Sequence, residues 1–199
     1  MSAKIYIEGG GDSKELNTRC RQGFRKLLEK CGFTGKMPHL VACGSRNDTF
    51  GDFSTAHDAA GGRRYVAMLV DSEDPVADIE QTWAHLKTRD GWDAPTGATD
   101  DQVLLMTTCM ETWIVTDRNA LRDHYSGCLR ENALPPLANM ETRTRGSVQI
   151  AIVQASRDCK NKYEKGKRSF EILEKLDPEQ LKDHLPSFVR LKRVLGEKL

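Results

Sequence analysis

No stretch of the sequence holds enough consecutive apolar residues to span a membrane, and the N-terminus lacks the pattern of a secretory signal. Those absences predict a cytoplasmic protein with no membrane partner. None of the six cysteines (20, 31, 43, 109, 128 and 159) forms a Cys-x-x-Cys pair, and no His pair completes a zinc set. They are expected as buried thiols rather than a disulfide framework. No Gly-x-Ser-x-Gly elbow is present and the five histidines are scattered, so nucleophilic catalysis by Ser or Cys has little support. Internal repeats and low-complexity linkers are also missing. So is net charge: 30 Lys+Arg against 29 Asp+Glu leaves +1, which names no partner by itself.

The informative stretch is Lys4-Ile5-Tyr6-Ile7-Glu8-Gly9-Gly10-Gly11-Asp12. Its β-branched and aromatic residues predict a short strand stopped by three glycines. Glycine lets the backbone turn sharply and approach a ligand. Asp12 is expected as the N-cap of a helix, with Glu15 completing a capping box. This turn is neither a P-loop nor a dinucleotide fingerprint, because Lys14 follows Ser13 and stands where a third glycine belongs. Glu8 and Asp12 would repel a phosphate unless a metal lay between them.

A second strand ends in the same manner. The nearly continuous apolar run Arg64 to Val70 reads as a strand buried on both faces and delivers Asp71-Ser72-Glu73-Asp74. Parallel strands share one carboxyl edge, so Glu8 and Asp71 can meet there. Carboxylates gathered on a rim repel one another unless a cation sits between them. Oxygen ligands alone suit Mg²⁺ or Mn²⁺ rather than zinc.

Charge is unevenly spread. Asp71 to Asp101 holds nine acidic and two basic residues, and Arg143 to Arg168 holds eight basic and two acidic. That pairing suits a metal site served by a phosphate-binding surface, the plainer alternative being two solvated faces.

Along the chain, a helix is predicted from Ser13 to Lys30, burying Leu16, Cys20, Phe24, Leu27, Leu28 and Cys31 and closed by Gly32. His39 to Cys43 is a strand, Asn47 to Gly61 a helix, Val76 to Lys87 a helix and Val103 to Met106 a fourth strand. The alternation argues for an α/β fold with a parallel sheet of about four strands flanked by helices. Glu111 lies just past the fourth strand, either a further acid on the rim or a surface residue in a first helical turn. The rest is helical, including Val148 to Ala155, with Ile150, Ala151 and Val153 expected inside. Residues 1–117 form the expected core and 118–199 a helical extension packed on it.

At Glu8-Gly9-Gly10-Gly11-Asp12 and Asp71-Ser72-Glu73-Asp74 the chain resembles a Toprim domain, the fold of topoisomerases, primases and OLD-type nucleases. The resemblance implies a Toprim-like, Rossmannoid sheet and a Mg²⁺-dependent nuclease. Glu8, Asp71 and Glu73 would be catalytic, with Glu8, Asp71, Glu73 and Asp74 as the metal set. Glu73 stands where the family usually has a second Asp, which leaves Glu73 or Asp74 as the ligand. Asp12 and Glu111 are possible additional acids. Lys160, Lys162, Lys165, Lys167 and Arg168 would contact DNA or RNA, tRNA included. Cys109 to Trp113 and Lys162 to Gly166 are similar to a small bacterial Toprim-like family often encoded beside an ABC- or AAA-type ATPase in phage-defence loci. That likeness implies an effector subunit with an ATPase partner. The alternatives are a non-catalytic subunit of an ATPase complex and a small-molecule phosphohydrolase.

Overall fold

The structure is a computed structural model and describes residues 3–199. Four strands form one parallel sheet: β1 (Lys4–Glu8), β2 (His39–Gly44), β3 (Val66–Asp71) and β4 (Val103–Met106). Their order is β2-β1-β3-β4. From β1 the chain passes to one side to form β2, then returns to pair β3 on the other. The carboxyl ends of β1 and β3 therefore meet where the winding reverses, the position at which open α/β sheets bind ligands.

Alternation along each strand divides the core in two. Ile5, Ile7, Leu69, Leu104 and Met106 face α1 (Lys14–Leu28), α4 (Met110–Thr116) and the later helices. Tyr6, Met68, Val70, Val103 and Leu105 face α2 (Arg46–Ala60) and α3 (Thr82–Asp90). Both faces are covered, as a parallel sheet requires. Trp113 lies between Phe24 and Phe188, edge-on to both at 6.4 and 5.1 Å.

The remaining helices are α5 (Arg118–Tyr125), α6 (Arg145–Ala155), α7 (Lys167–Leu173), α8 (Pro178–Lys182) and α9 (Pro186–Lys198). α7 packs on α1 and α9 on β4, so the C-terminal helices share the core of the sheet. No described helix is long and apolar enough to cross a membrane.

Several local expectations are corrected. Ser13, not Asp12, caps α1 by accepting a hydrogen bond from the Leu16 N–H at 3.1 Å, while Asp12 is exposed. α3 begins at Thr82 rather than Val76, because Asp78 folds its own turn by accepting from the Glu80 N–H. Asp100, remote in sequence, then accepts from the Trp83 N–H at 2.9 Å. Ala151 is buried as expected, but Ile150 and Val153 are exposed, and α6 buries Val148, Ile152 and Ala155 in their place. Cys128 and Cys159 form a disulfide with their Cα atoms 5.4 Å apart, against the expectation of thiols alone. Their spacing of 31 residues carries no sequence signature of pairing. The other four cysteines are free, with Cys20 and Cys109 buried.

Candidate metal centre

The site is built on the ends of β1 and β3. Glu8 closes β1, and its Oε2 accepts from the backbone N–H of Asp71 at 3.1 Å. Gly9, Gly10 and Gly11 then take φ of +140°, +100° and +85°, which turns the chain off the sheet edge at once. Asp71 closes β3 and is buried, and its Oδ1 accepts from the Met110 N–H at the start of α4, 2.8 Å away. Glu73 adopts φ +67°, a left-handed conformation uncommon outside glycine, and donates its N–H to the Thr108 carbonyl at 2.8 Å.

The result is a group of three acids. Glu8, Asp71 and Glu73 each present a carboxylate oxygen, and these oxygens lie within 4.8 Å of one another. Asp74 stands outside this group, mostly exposed and 3.5 Å from Arg89. Asp12 is also outside it. Glu111 is neither a surface residue nor a member of the group. It is 1 % exposed, and it accepts from the Tyr163 hydroxyl at 2.8 Å and from Gln149 at 3.4 Å. Beside the acids lies a cavity of about 290 Å³, lined by Gly9 to Gly11, Met110, Lys165 and Phe170 among others.

Residues 7–195 match a family model described as "Domain of unknown function (DUF4276)". The chain belongs to the DUF4276 family. The match runs from β1 into α9, so the acids, the cavity and the basic run all lie inside the DUF4276 domain. No curated protein and no solved structure matched the chain.

The electrostatics of this DUF4276 site are those of crowded anions. Burial raises the Glu8 carboxyl above its ordinary value, against the opposing pull of Arg46. Burial, followed by the charges of Glu8 and Glu111, pushes Asp71 well above its own. Three arginines offset this, and sequence reasoning missed all of them. Arg46, the first residue of α2, reaches Glu8 at 3.1 Å and Asp90 at 2.7 Å, donates to the Asp71 carbonyl, and lies 5.0 Å from the Trp92 ring centroid. Arg145, opening α6, pairs with Glu73 and stands 4.0 Å from Asp71. Arg89 lies 3.6 Å from Glu73. No local pattern marks these residues, because each arrives from a different helix.

The donor set fits a hard divalent ion: oxygen only, three carboxylates, no His or Cys. One oxygen each of Glu8 and Asp71 is already committed to a backbone N–H. Those bonds orient the carboxylates and leave their second oxygens to a ligand. Of the cations expected to meet nucleic acid, Lys165 lines the cavity, Arg168 is paired with Glu171 at 2.7 Å, and Lys160, Lys162 and Lys167 are exposed.

Proposed function

We propose that this chain hydrolyses phosphodiester bonds with the help of a divalent cation, as a Toprim-like nuclease. The observation that carries the reading is the convergence of Glu8, Asp71 and Glu73 at the reversal point of the sheet, with their oxygens within 4.8 Å of one another. Asp71, Glu73 and Glu8 would hold Mg²⁺ or Mn²⁺. When bound, such an ion supplies Lewis-acid polarisation of a phosphate oxygen and acidifies water.

The chain's own groups do the rest. Water attacks phosphorus, the bond from phosphorus to the leaving oxygen breaks, and the water's proton ends on that oxygen. Glu8 takes one of two roles through its uncommitted oxygen: third ligand to the ion, or carrier of that proton with Asp71 and Glu73 alone on the ion. Arg145 and Lys165 flank the acids and are placed to meet the charge on the phosphate. The substrate class is DNA or RNA, including tRNA. The balanced net charge leaves room for an ABC- or AAA-type ATPase partner to supply more positive surface, as in an effector of phage defence.

Cleavage of plasmid and tRNA with Mg²⁺, alongside Asp71→Asn, tests this. The substitution is expected to abolish cleavage and lower Mn²⁺ affinity at least ~10-fold, because a neutral amide no longer holds the ion. Equal cleavage and equal Mn²⁺ binding by both proteins would sink the proposal.

A further inference from the structure

The five cations of residues 160–168 are not equivalent. Lys165 lines the cavity that also exposes Glu8 and Asp71, and its charge acts on the Asp71 carboxyl. Arg168 is engaged by Glu171, and Lys160, Lys162 and Lys167, exposed like Lys165, do not line that cavity. Yet Lys165 belongs to a stretch of turns between α6 and α7 with no helix or strand to place it. A lysine on such a stretch would cost much conformational entropy to fix at a phosphate.

Hydrogen bonds on either side of it supply the placement. Two residues earlier, Tyr163 is 7 % exposed. Its backbone N–H donates to Ser156 Oγ at 2.8 Å, at the end of α6, and its hydroxyl donates to Glu111 Oε1 at 2.8 Å. One residue later, the Gly166 N–H donates to Ser169 Oγ at 2.8 Å, opening α7. Glu111 follows Met110, whose N–H holds Asp71, so one helical turn grips both the metal rim and the basic stretch. Glu111 is 1 % exposed although it borders the same cavity, its Oε1 is taken by Tyr163, and it lies outside the group of acids.

We propose that Tyr163 and Glu111 form a lock that docks residues 160–166 on the acidic rim and so presents Lys165 to a backbone phosphate of the substrate. Tyr163 and Glu111 are positioning residues, and Lys165 makes the contact. This inference rests on the metal-centre reading and names the residue that receives its substrate.

Two titrations test it on the full chain: Mn²⁺ followed by electron paramagnetic resonance, and a short fluorescein-labelled single-stranded DNA followed by anisotropy with Ca²⁺. Lys165→Ala is expected to weaken the oligonucleotide about ten-fold and to flatten the slope of log K against log salt by about 0.7. Tyr163→Phe is expected to reproduce both effects with Mn²⁺ binding unchanged. The double variant is expected to bind no worse than Lys165→Ala, because both act on one contact. Glu111→Gln keeps a carbonyl acceptor for the phenol and is expected to bind the oligonucleotide as the native chain does. Effects that multiply in the double variant, a Tyr163→Phe protein that binds normally, or loss of Mn²⁺ binding in Glu111→Gln would each overturn the lock. If Tyr163→Phe does not fold, amide exchange in the native chain decides: residues 160–166 are expected to be protected without ligand, and free-chain exchange overturns the proposal. A native chain whose Mn²⁺ binding is indifferent to Asp71→Asn would defeat the metal centre instead, a separate result.

Discussion

Asp71 shows how one residue can be structurally held and electrostatically costly together. Its Oδ1 is fixed by the Met110 N–H, while its charge faces Glu8 and Glu111 in a buried setting. A carboxyl whose folded value lies above its unfolded one contributes stability that is full below the unfolded value and is lost as pH rises through the folded one. Glu8 and Asp71 both have this sign, and Glu141, pushed up to about 7 by burial, shares it. His124, lowered by burial, acts in the opposite sense toward acid. The metal-free protein is therefore expected to melt at lower temperature as pH rises from mildly acidic to neutral. Asp71→Asn should flatten part of that slope and raise the melting temperature of the neutral protein, because the amide removes a buried charge that faces Glu8 and Glu111. Thermal melts across pH check both. A melting point that climbs with pH in the metal-free protein would contradict the assigned sign. Asp71 and Glu8 were legible in the sequence as acids ending apolar strands. Arg46 and Arg145 were not, since an arginine opening a helix looks like any solvated cation until the fold delivers it.

At the scale of elements, the glycine turn after β1 leaves little room for a side chain. Gly10 holds φ +100°, and a Cβ there would meet Asn17 Oδ1 at 2.0 Å and the Asn17 Cα at 3.1 Å. Gly10→Ala is expected to cost at least about 2 kcal/mol, the penalty of left-handed backbone plus displacement of α1. Because Glu8 precedes the turn, Mn²⁺ affinity should fall with it, which a melt and a titration on one sample would show. The disulfide is a second element-scale device, tying the turn after α5 to the basic stretch after α6. Cross-linking residues 31 apart is worth about 3–4 kcal/mol in the chain-entropy treatment. Mild reduction is expected to lower the melting temperature, and a melt unchanged by reductant would show that the link contributes nothing. Element starts were read less well than element identities. Ser13 and Asp12 are both good caps, and only backbone geometry chose between them. The start of α3 depended on Asp100, which no local window contains.

The whole molecule places its cations unevenly around the acidic rim. With Arg168 bound to Glu171 and only Lys165 at the cavity, few residues of the basic run are positioned to meet one phosphate track. Binding of the isolated chain to duplex DNA is expected to show a slope of about −2 to −3 in log K against log salt. Titrations at several salt concentrations measure it. A slope near zero with tight binding would remove the argument for a partner that supplies positive surface.

The sequence by itself determined the α/β class, the four strands and the acids at two strand ends, because these follow from periodicity and from chain neighbours. Strand order came from the tertiary structure, since apolar strands of similar composition do not state which pairs with which. That order put β1 beside β3 and so brought Glu8 to Asp71. The tertiary structure also gathered Glu73, and not Asp74, beside Glu8 and Asp71, buried Glu111 against Tyr163 and paired Cys128 with Cys159. Each of these is a contact between segments that packing alone makes neighbours, and local sequence carries no signal for it.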